Sequence, residues 1–243
     1  MLRRLGAVLL LLTPSAVPAQ MYFNLAPTQA MSNLTMQPVR QQAALARAKA
    51  RRAAGGATIG QVAAGGAMST AAFSSAALAY QPSRTLARET VEGFVSRLLG
   101  KDPAAAQAVA EQFSRHDYGS IYRGIVAPFG LRDNNAADAL TAYTVLGWMI
   151  ATGAGDPGHA SVAAARQQLG ARMAANPTLS TPANRARVGE ELKLLFVTLH
   201  AGWQSARREG NLRKYSDGVA ATFAQQGTDL RALRLTPDGL VAA

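Results

Sequence analysis

The chain has no cysteine among its 243 residues, and aromatic residues make up only 6% of it. The absence of cysteine excludes disulfide bonds, thiol nucleophiles and cysteine metal ligands. Much of the 49% hydrophobic content is alanine. Because alanine loses no side-chain entropy in a helix, this composition favours closely packed helices over sheets.

Acidic residues are also scarce, 14 against 25 basic ones, which gives a formal net charge of +11 and a pI of about 10.8. A basic chain of this kind is attracted to anionic lipids, cell-wall polymers and nucleic acid, and charge alone does not choose among them. Nucleic-acid binding has less support because basic and aromatic residues are not interleaved.

No apolar run reaches the roughly 20 residues that a membrane-spanning helix needs. The run from Leu5 to Leu12 has instead the features of a secretory signal, with two arginines before it and small residues after it. These flanking residues are Arg3, Arg4, Val17 and Ala19. We expect residues 1–19 to be a signal peptide cleaved after Ala19, which would make the mature protein periplasmic or secreted, without a transmembrane span.

Residues 20–76 have the composition of a flexible arm. They include one segment with high helix propensity, 37–54, followed by a stretch rich in Gly, Ala and Ser. The basic residues of that segment are Arg40, Arg47, Lys49, Arg51 and Arg52. This basic helix would attach loosely to an anionic surface, an anionic polymer or another envelope protein; the alternative is a solvated linker helix without a ligand.

Residues 77–243 predict a single all-α bundle of about six or seven helices. Helical periodicity or helix start signals occur at 83–99, 102–113, 118–127, 135–152, 157–175, 182–209 and 211–227. Ser83 and Asp102 are suited to cap the first two. No run shows the alternation of a half-buried strand, so the tail is expected to be a short helical turn and a closing segment.

The longest predicted helix, 182–209, has an apolar stripe at spacings of three and four residues. The stripe consists of Val188, Leu192, Leu195, Phe196, Leu199, Trp203 and Ala206. Leu194 and Val197 lie on another side, so we expect this helix to contact neighbours twice. Glu190 and Lys193 lie away from the stripe and are expected to point outward.

Residues 130–153 combine a polar beginning with a helix that is apolar on all sides, which is typical of the centre of a domain. A buried helix start leaves unpaired N–H groups, which are costly without partners. Asn135 and Asp138 have the capping-box spacing and can supply such partners. The polar beginning is therefore either a set of caps or a functional site.

Asp138 projects over an apolar face of its own helix, and Arg166 interrupts the apolar stripe of the next one. Because buried charges are tolerated when they are paired, we predict a buried bidentate pair between the two. Arg123 and Arg132 are competing partners for Asp138.

Familiar catalytic and metal-binding patterns are missing. The three histidines, His116, His159 and His200, do not have helical metal-ligand spacing. There is no Gly-x-Ser-x-Gly or Ser-x-x-Lys motif, and "DNNAAD" lacks the alternation of a calcium loop. A hydrolase would need two carboxylates across a cleft, for which the candidates are Glu111, Glu190 and Glu191. We expect no cofactor and no metal.

Two short motifs resemble an uncharacterised helical domain family of exported bacterial proteins. The first, Asn-x-x-Ala-Asp-Ala-x-x-x-Tyr, is matched by Asn134, Ala137, Asp138, Ala139 and Tyr143. The second, Leu-Thr-x-x-Gly, is matched by Leu235, Thr236 and Gly239. The resemblance covers about 78–243 and implies a helical exported domain without a known activity.

The sequence thus predicts an exported, non-enzymatic helical module that acts as an envelope-associated accessory or binding protein. A cell-wall or polymer hydrolase and an anionic-polymer or nucleic-acid binder are the alternatives. Its candidate structural or ligand-binding residues are Asn135, Asp138, Tyr143 and Arg166.

Overall fold

A computed structural model describes residues 74–243. The expected signal peptide, the segment 37–54 with its five basic residues, and nearly all of the expected arm lie outside the described residues. Within the described part the chain forms seven α-helices and one β-hairpin, so the expected all-α bundle of six or seven helices is confirmed. The helices are α1 Arg84–Leu99, α2 Pro103–Arg115, α3 Tyr118–Val126, α4 Ala136–Thr152, α5 His159–Ala174, α6 Pro182–Glu209 and α7 Leu212–Gln225.

Side-chain caps fix where most of these helices begin. The oxygens of Ser83, Asp102, Asp117, Asn135 and Thr181 accept hydrogen bonds from first-turn N–H groups of α1, α2, α3, α4 and α6. Each cap provides an acceptor for a donor that the helix itself leaves unpaired. The predicted caps at Ser83 and Asp102 are confirmed.

Helix α4 is the innermost element, as its sequence predicts. Every residue from Ala136 to Gly147 is buried, and the helix packs against α5, α6 and α7. Gly147 permits the close approach of α7, because a Cβ atom there would lie 2.6 Å from the ring of Phe223.

Helix α6 confirms one prediction and contradicts another. Leu194 and Val197 are buried, as is most of the predicted stripe, while Leu199 and Trp203 are half-buried; the helix therefore contacts neighbours on two sides. Glu190 and Lys193, expected to point outward, are only 2% and 3% exposed. The prediction was wrong because Tyr80 and Tyr118, which are distant in sequence, cover that side of the helix.

The chain ends in two short antiparallel strands, β1 Leu233–Thr236 and β2 Gly239–Ala242. The prediction of a helical turn holds for Leu230–Ala232, but the prediction of no strand was wrong. Four residues are too few for alternation to stand out in a sequence. Gly239 begins β2 with φ 98°, in the left-handed region that favours glycine.

No helix among residues 74–243 is long and apolar enough to cross a membrane.

Candidate functional site

Asn135 caps the buried start of α4. Its Oδ1 accepts hydrogen bonds from the backbone N–H groups of Ala137 and Asp138, at 2.9 and 3.1 Å, and its Nδ2 donates to the carbonyl of Ser75. The side chain is fully buried, and both of its polar atoms have partners within the protein. In this structure Asn135 holds the helix start and the segment before α1 together.

Asp138 and Arg166 form the predicted bidentate pair. Nε of Arg166 donates to Oδ1 of Asp138, and Nη2 donates to Oδ2 at 3.0 Å. Asp138 is fully buried, and the side chain of Arg166 is mostly buried. Arg132 adds its backbone N–H at 2.9 Å and its Nε at 3.3 Å, both to Oδ2. Arg123, the other competitor, pairs with Asp133 instead.

Tyr143 packs in the core. Its ring stacks on Phe223 at 5.1 Å between centroids, and burial raises the pKa of its hydroxyl. The second motif forms the hairpin turn: the Thr236 hydroxyl donates to the carbonyl of Gly239, and Gln168 of α5 bonds the backbone of Asp238 and Leu240. Both motifs therefore coincide with packing features of the described domain.

A second buried ion pair, which was not predicted from the sequence, lies within α6, and a hydrogen bond from Tyr118 connects it to α3. Nζ of Lys193 lies 2.7 Å from Oε1 of Glu190, and the Tyr118 hydroxyl donates to Oε2 of Glu190 at 2.6 Å. Lys193 also donates to the carbonyl of Asp133 and lies against the rings of Tyr80 and Tyr118. Burial and the neighbouring Glu190 raise the pKa of both tyrosines, so their hydroxyls stay protonated at neutral pH.

The three glutamates named above as candidates for a hydrolase lie in different environments. Glu190 belongs to the buried pair just described, Glu191 pairs with Arg97 at 3.0 Å, and Glu111 is exposed on α2 beside Gln107. None of the three lines the groove or the cavity described below. The residues from 74 to 243 also contain no group of three or more His, Asp and Glu side chains that could hold a metal ion.

An open groove of about 1160 Å³ lies where the C-terminal ends of α4 and α6 meet the start of α7. We call it the arginine groove, after the residues Arg207, Arg208, Arg213 and Arg231 that line it. Arg231 is held by Asp217 and by the carbonyl of Ala151. Arg208 and Arg213 are exposed and, within the described residues, have no carboxylate within 4 Å.

Next to the groove lies a cavity of about 90 Å³ between α3, α4, α5 and α6. We call it the apolar cavity, because aliphatic and aromatic side chains form nearly all of its lining. Met149, Asp156, His200 and Trp203 line both spaces, so the cavity and the groove adjoin at these four residues. Arg207 lies over the Trp203 ring at 5.3 Å and brings a positive charge to this junction.

His200 is nearly buried at the junction. Burial, with a smaller contribution from Arg207, lowers the pKa of its imidazole to about 4. It is therefore neutral at pH 7, and its Nε2 lies 3.3 Å from the amide of Gln204. The sequence showed only that His200 lacks helical metal-ligand spacing, and it could not link this residue to a cavity.

We expect stability to fall as the pH falls from 7.5 to 4.5, in part because of His200. In the unfolded chain its pKa is about 6.5, so over this range the unfolded state binds a proton that the folded state does not. Protonation therefore favours unfolding, by about 2–3 kcal/mol over the range. Urea unfolding of the wild type and of His200→Gln at both pH values isolates the contribution of this histidine from the rest of the pH dependence. Equal pH dependence in the two proteins would contradict the assignment.

The chain matches the model of a family of unknown function (DUF6683) over residues 4–240. The match begins well before residue 78, where the resemblance drawn from the two motifs began. No curated protein and no solved structure matches the chain.

Proposed function

We propose that this chain is an exported, non-enzymatic binding protein of the bacterial envelope and that it holds an anionic ligand in the arginine groove. The chain belongs to the family of unknown function whose model it matches over residues 4–240. The observation that carries the proposal is a set of arginines around an open groove, two of them without a carboxylate partner among the described residues. Guanidinium groups bind carboxylates and phosphates through paired hydrogen bonds.

The position of Arg213 supports a ligand-binding role. It lies in the first turn of α7, where the helix dipole is positive and a cation is disfavoured by about 0.3–1 kcal/mol. The first turn of α7 has no acidic residue to offset that cost. An anion bound beside Arg213 would offset that cost. Arg207 and Arg208 lie in the last turn of α6, where cations are favoured in any case.

The groove is tested with 1-anilinonaphthalene-8-sulfonate, an anionic fluorescent probe with apolar rings. We expect the double variant Arg208→Gln/Arg213→Gln to bind it about five- to tenfold more weakly, the loss that two ion pairs of about 0.5–0.7 kcal/mol each would give. Arg88→Gln, an exposed arginine on α1 with side-chain exposure of 71%, is the matched control and should bind the probe like the wild type. Unchanged binding by the double variant would refute the proposal.

The proposed envelope attachment rests on the basic segment 37–54. We expect the mature protein to bind phosphatidylglycerol vesicles at low salt and to be released at high salt, since exposed charges are screened by ions. Glutamine at Arg40, Arg47, Lys49, Arg51 and Arg52 should abolish retention, whereas the groove double variant should keep it. The molecular mass of the protein recovered from the envelope fraction would show whether residues 1–19 have been removed. If the variant with five glutamines were retained on the vesicles as well as the wild type, the segment 37–54 would be a solvated linker and not an attachment site.

A further inference from the structure

The arginine groove and the apolar cavity adjoin at four shared lining residues and form two chemically different ends of one proposed site. One end is lined by guanidinium groups, and the other is lined by apolar side chains such as Ile125, Val145 and Phe196. A simple anion would use only the first end. A neutral hydrocarbon would use only the second and would leave the arginines without a partner.

We propose that the ligand is a free single-chain amphiphile, a carboxylate on an alkyl chain, whose acid group binds Arg208 and Arg213 while the end of its chain enters the apolar cavity. This inference rests on the proposed function and specifies its ligand class. It follows from the junction at Met149, His200 and Trp203, where a chain leaving the groove meets the cavity.

The junction suits the passage of a chain. The Trp203 ring, covered by Arg207, and the flexible Met149 side chain supply apolar surface, and His200 is uncharged at neutral pH. Asp156 is the one charged residue that lines the cavity, and it is exposed on the groove side. A charged group would gain nothing by entering the cavity, so the acid end is expected to stay in the groove.

The size of the cavity limits how much of the chain it can hold. Its volume of about 90 Å³ is smaller than the ~150 Å³ apolar cavity that accepts a benzene ring. It has room for roughly three groups of ~30 Å³ each, the volume of one water molecule in the liquid. A narrow unbranched chain end fits this space, whereas two acyl chains of a membrane lipid do not.

Calorimetric titration of the full mature protein with butyrate, hexanoate, octanoate and decanoate tests the inference. We expect affinity to rise with chain length once the chain reaches the junction, by about fourfold per methylene, and to level off when the cavity is filled. 1-Octanol, which lacks the acid, should bind at least fivefold more weakly than octanoate. Arg208→Gln/Arg213→Gln should remove this difference and leave the dependence on chain length unchanged.

Ala142→Leu, a substitution in the cavity lining, should cut the affinity for decanoate to that for the short acids; Ala163→Leu on the exposed side of α5 is its control. Equal affinity for all four acids, combined with arginine-dependent probe binding, would overturn this inference and leave the anion groove intact. Decanoate binding that does not depend on the arginines would also overturn this inference, and the proposed function would fail with it only if probe binding were unchanged in the double variant as well. The chain-length series uses the wild type, so it decides the matter even if Ala142→Leu fails to fold.

Discussion

Replacement of Asp138 by asparagine is expected to lower the free energy of unfolding by about 3–5 kcal/mol, the cost of leaving a buried charge without its partner. Asparagine has nearly the shape of aspartate, so the packing of α4 is kept while the charge is removed. Arg166 would then remain mostly buried without a carboxylate, and the backbone N–H of Arg132 would lose a charged acceptor. Urea unfolding measured by circular dichroism gives the value.

Two further proteins show whether the loss comes from the pair. Asp133→Asn breaks the ion pair with Arg123, whose side chain is 61% exposed, and should cost at most about 1 kcal/mol. The double variant Asp138→Leu/Arg166→Met should recover much of the stability lost by Asp138→Asn, because a buried pair can be replaced by apolar groups of similar volume. A loss below 1 kcal/mol for Asp138→Asn would show that the pair does not hold α4 to α5.

The pair between Asp138 and Arg166 could be predicted because each member stands out in its local sequence. Asn135 and Asp138 are three residues apart at the start of an all-apolar helix, and Arg166 interrupts an apolar stripe. Both anomalies are local, and each requires a partner. Once burial of the two helices is inferred from their composition, the acid has three candidate bases, and the structure pairs it with Arg166 and adds Arg132 as a second partner.

The second ion pair was missed because periodicity predicts burial from apolar residues, and neither Glu190 nor Lys193 is apolar. Glu190 and Lys193 lie off the main stripe of α6, and nothing near them in sequence indicates that Tyr80 and Tyr118 cover them. Such coverage depends on contacts between residues about 70 to 110 positions apart. The i, i+3 spacing of an acid and a base was visible, but the same spacing is common on solvated helix faces.

The arginine groove was missed for a related reason. Its cations come from the end of α6, the start of α7 and the turn before β1, and each of them reads in isolation as an ordinary surface charge. Only the arrangement of the three elements brings them to one opening. The apolar cavity is equally invisible in the sequence, because its lining residues are the same aliphatic and aromatic residues that fill a core.

The second large effect is expected at the ion pair of α6. Lys193→Met should lower the free energy of unfolding by about 3–5 kcal/mol, because the Glu190 carboxylate would stay buried with the Tyr118 hydroxyl but without a counter-charge. Methionine retains the apolar stem that lies against the rings of Tyr80 and Tyr118, so lost packing contributes little. The measurement is again urea unfolding at neutral pH.

The double variant Glu190→Gln/Lys193→Met separates the charge from the hydrogen bonds. It should be more stable than Lys193→Met alone, because glutamine can still accept from the Tyr118 hydroxyl and carries no charge to leave unpaired. Glu92→Gln, which breaks an exposed i, i+4 pair with Arg88, should change stability by less than about 0.5 kcal/mol. If Lys193→Met were as mild as Glu92→Gln, water would reach the Glu190 carboxylate, and this side of α6 would be open rather than sealed by the two tyrosines.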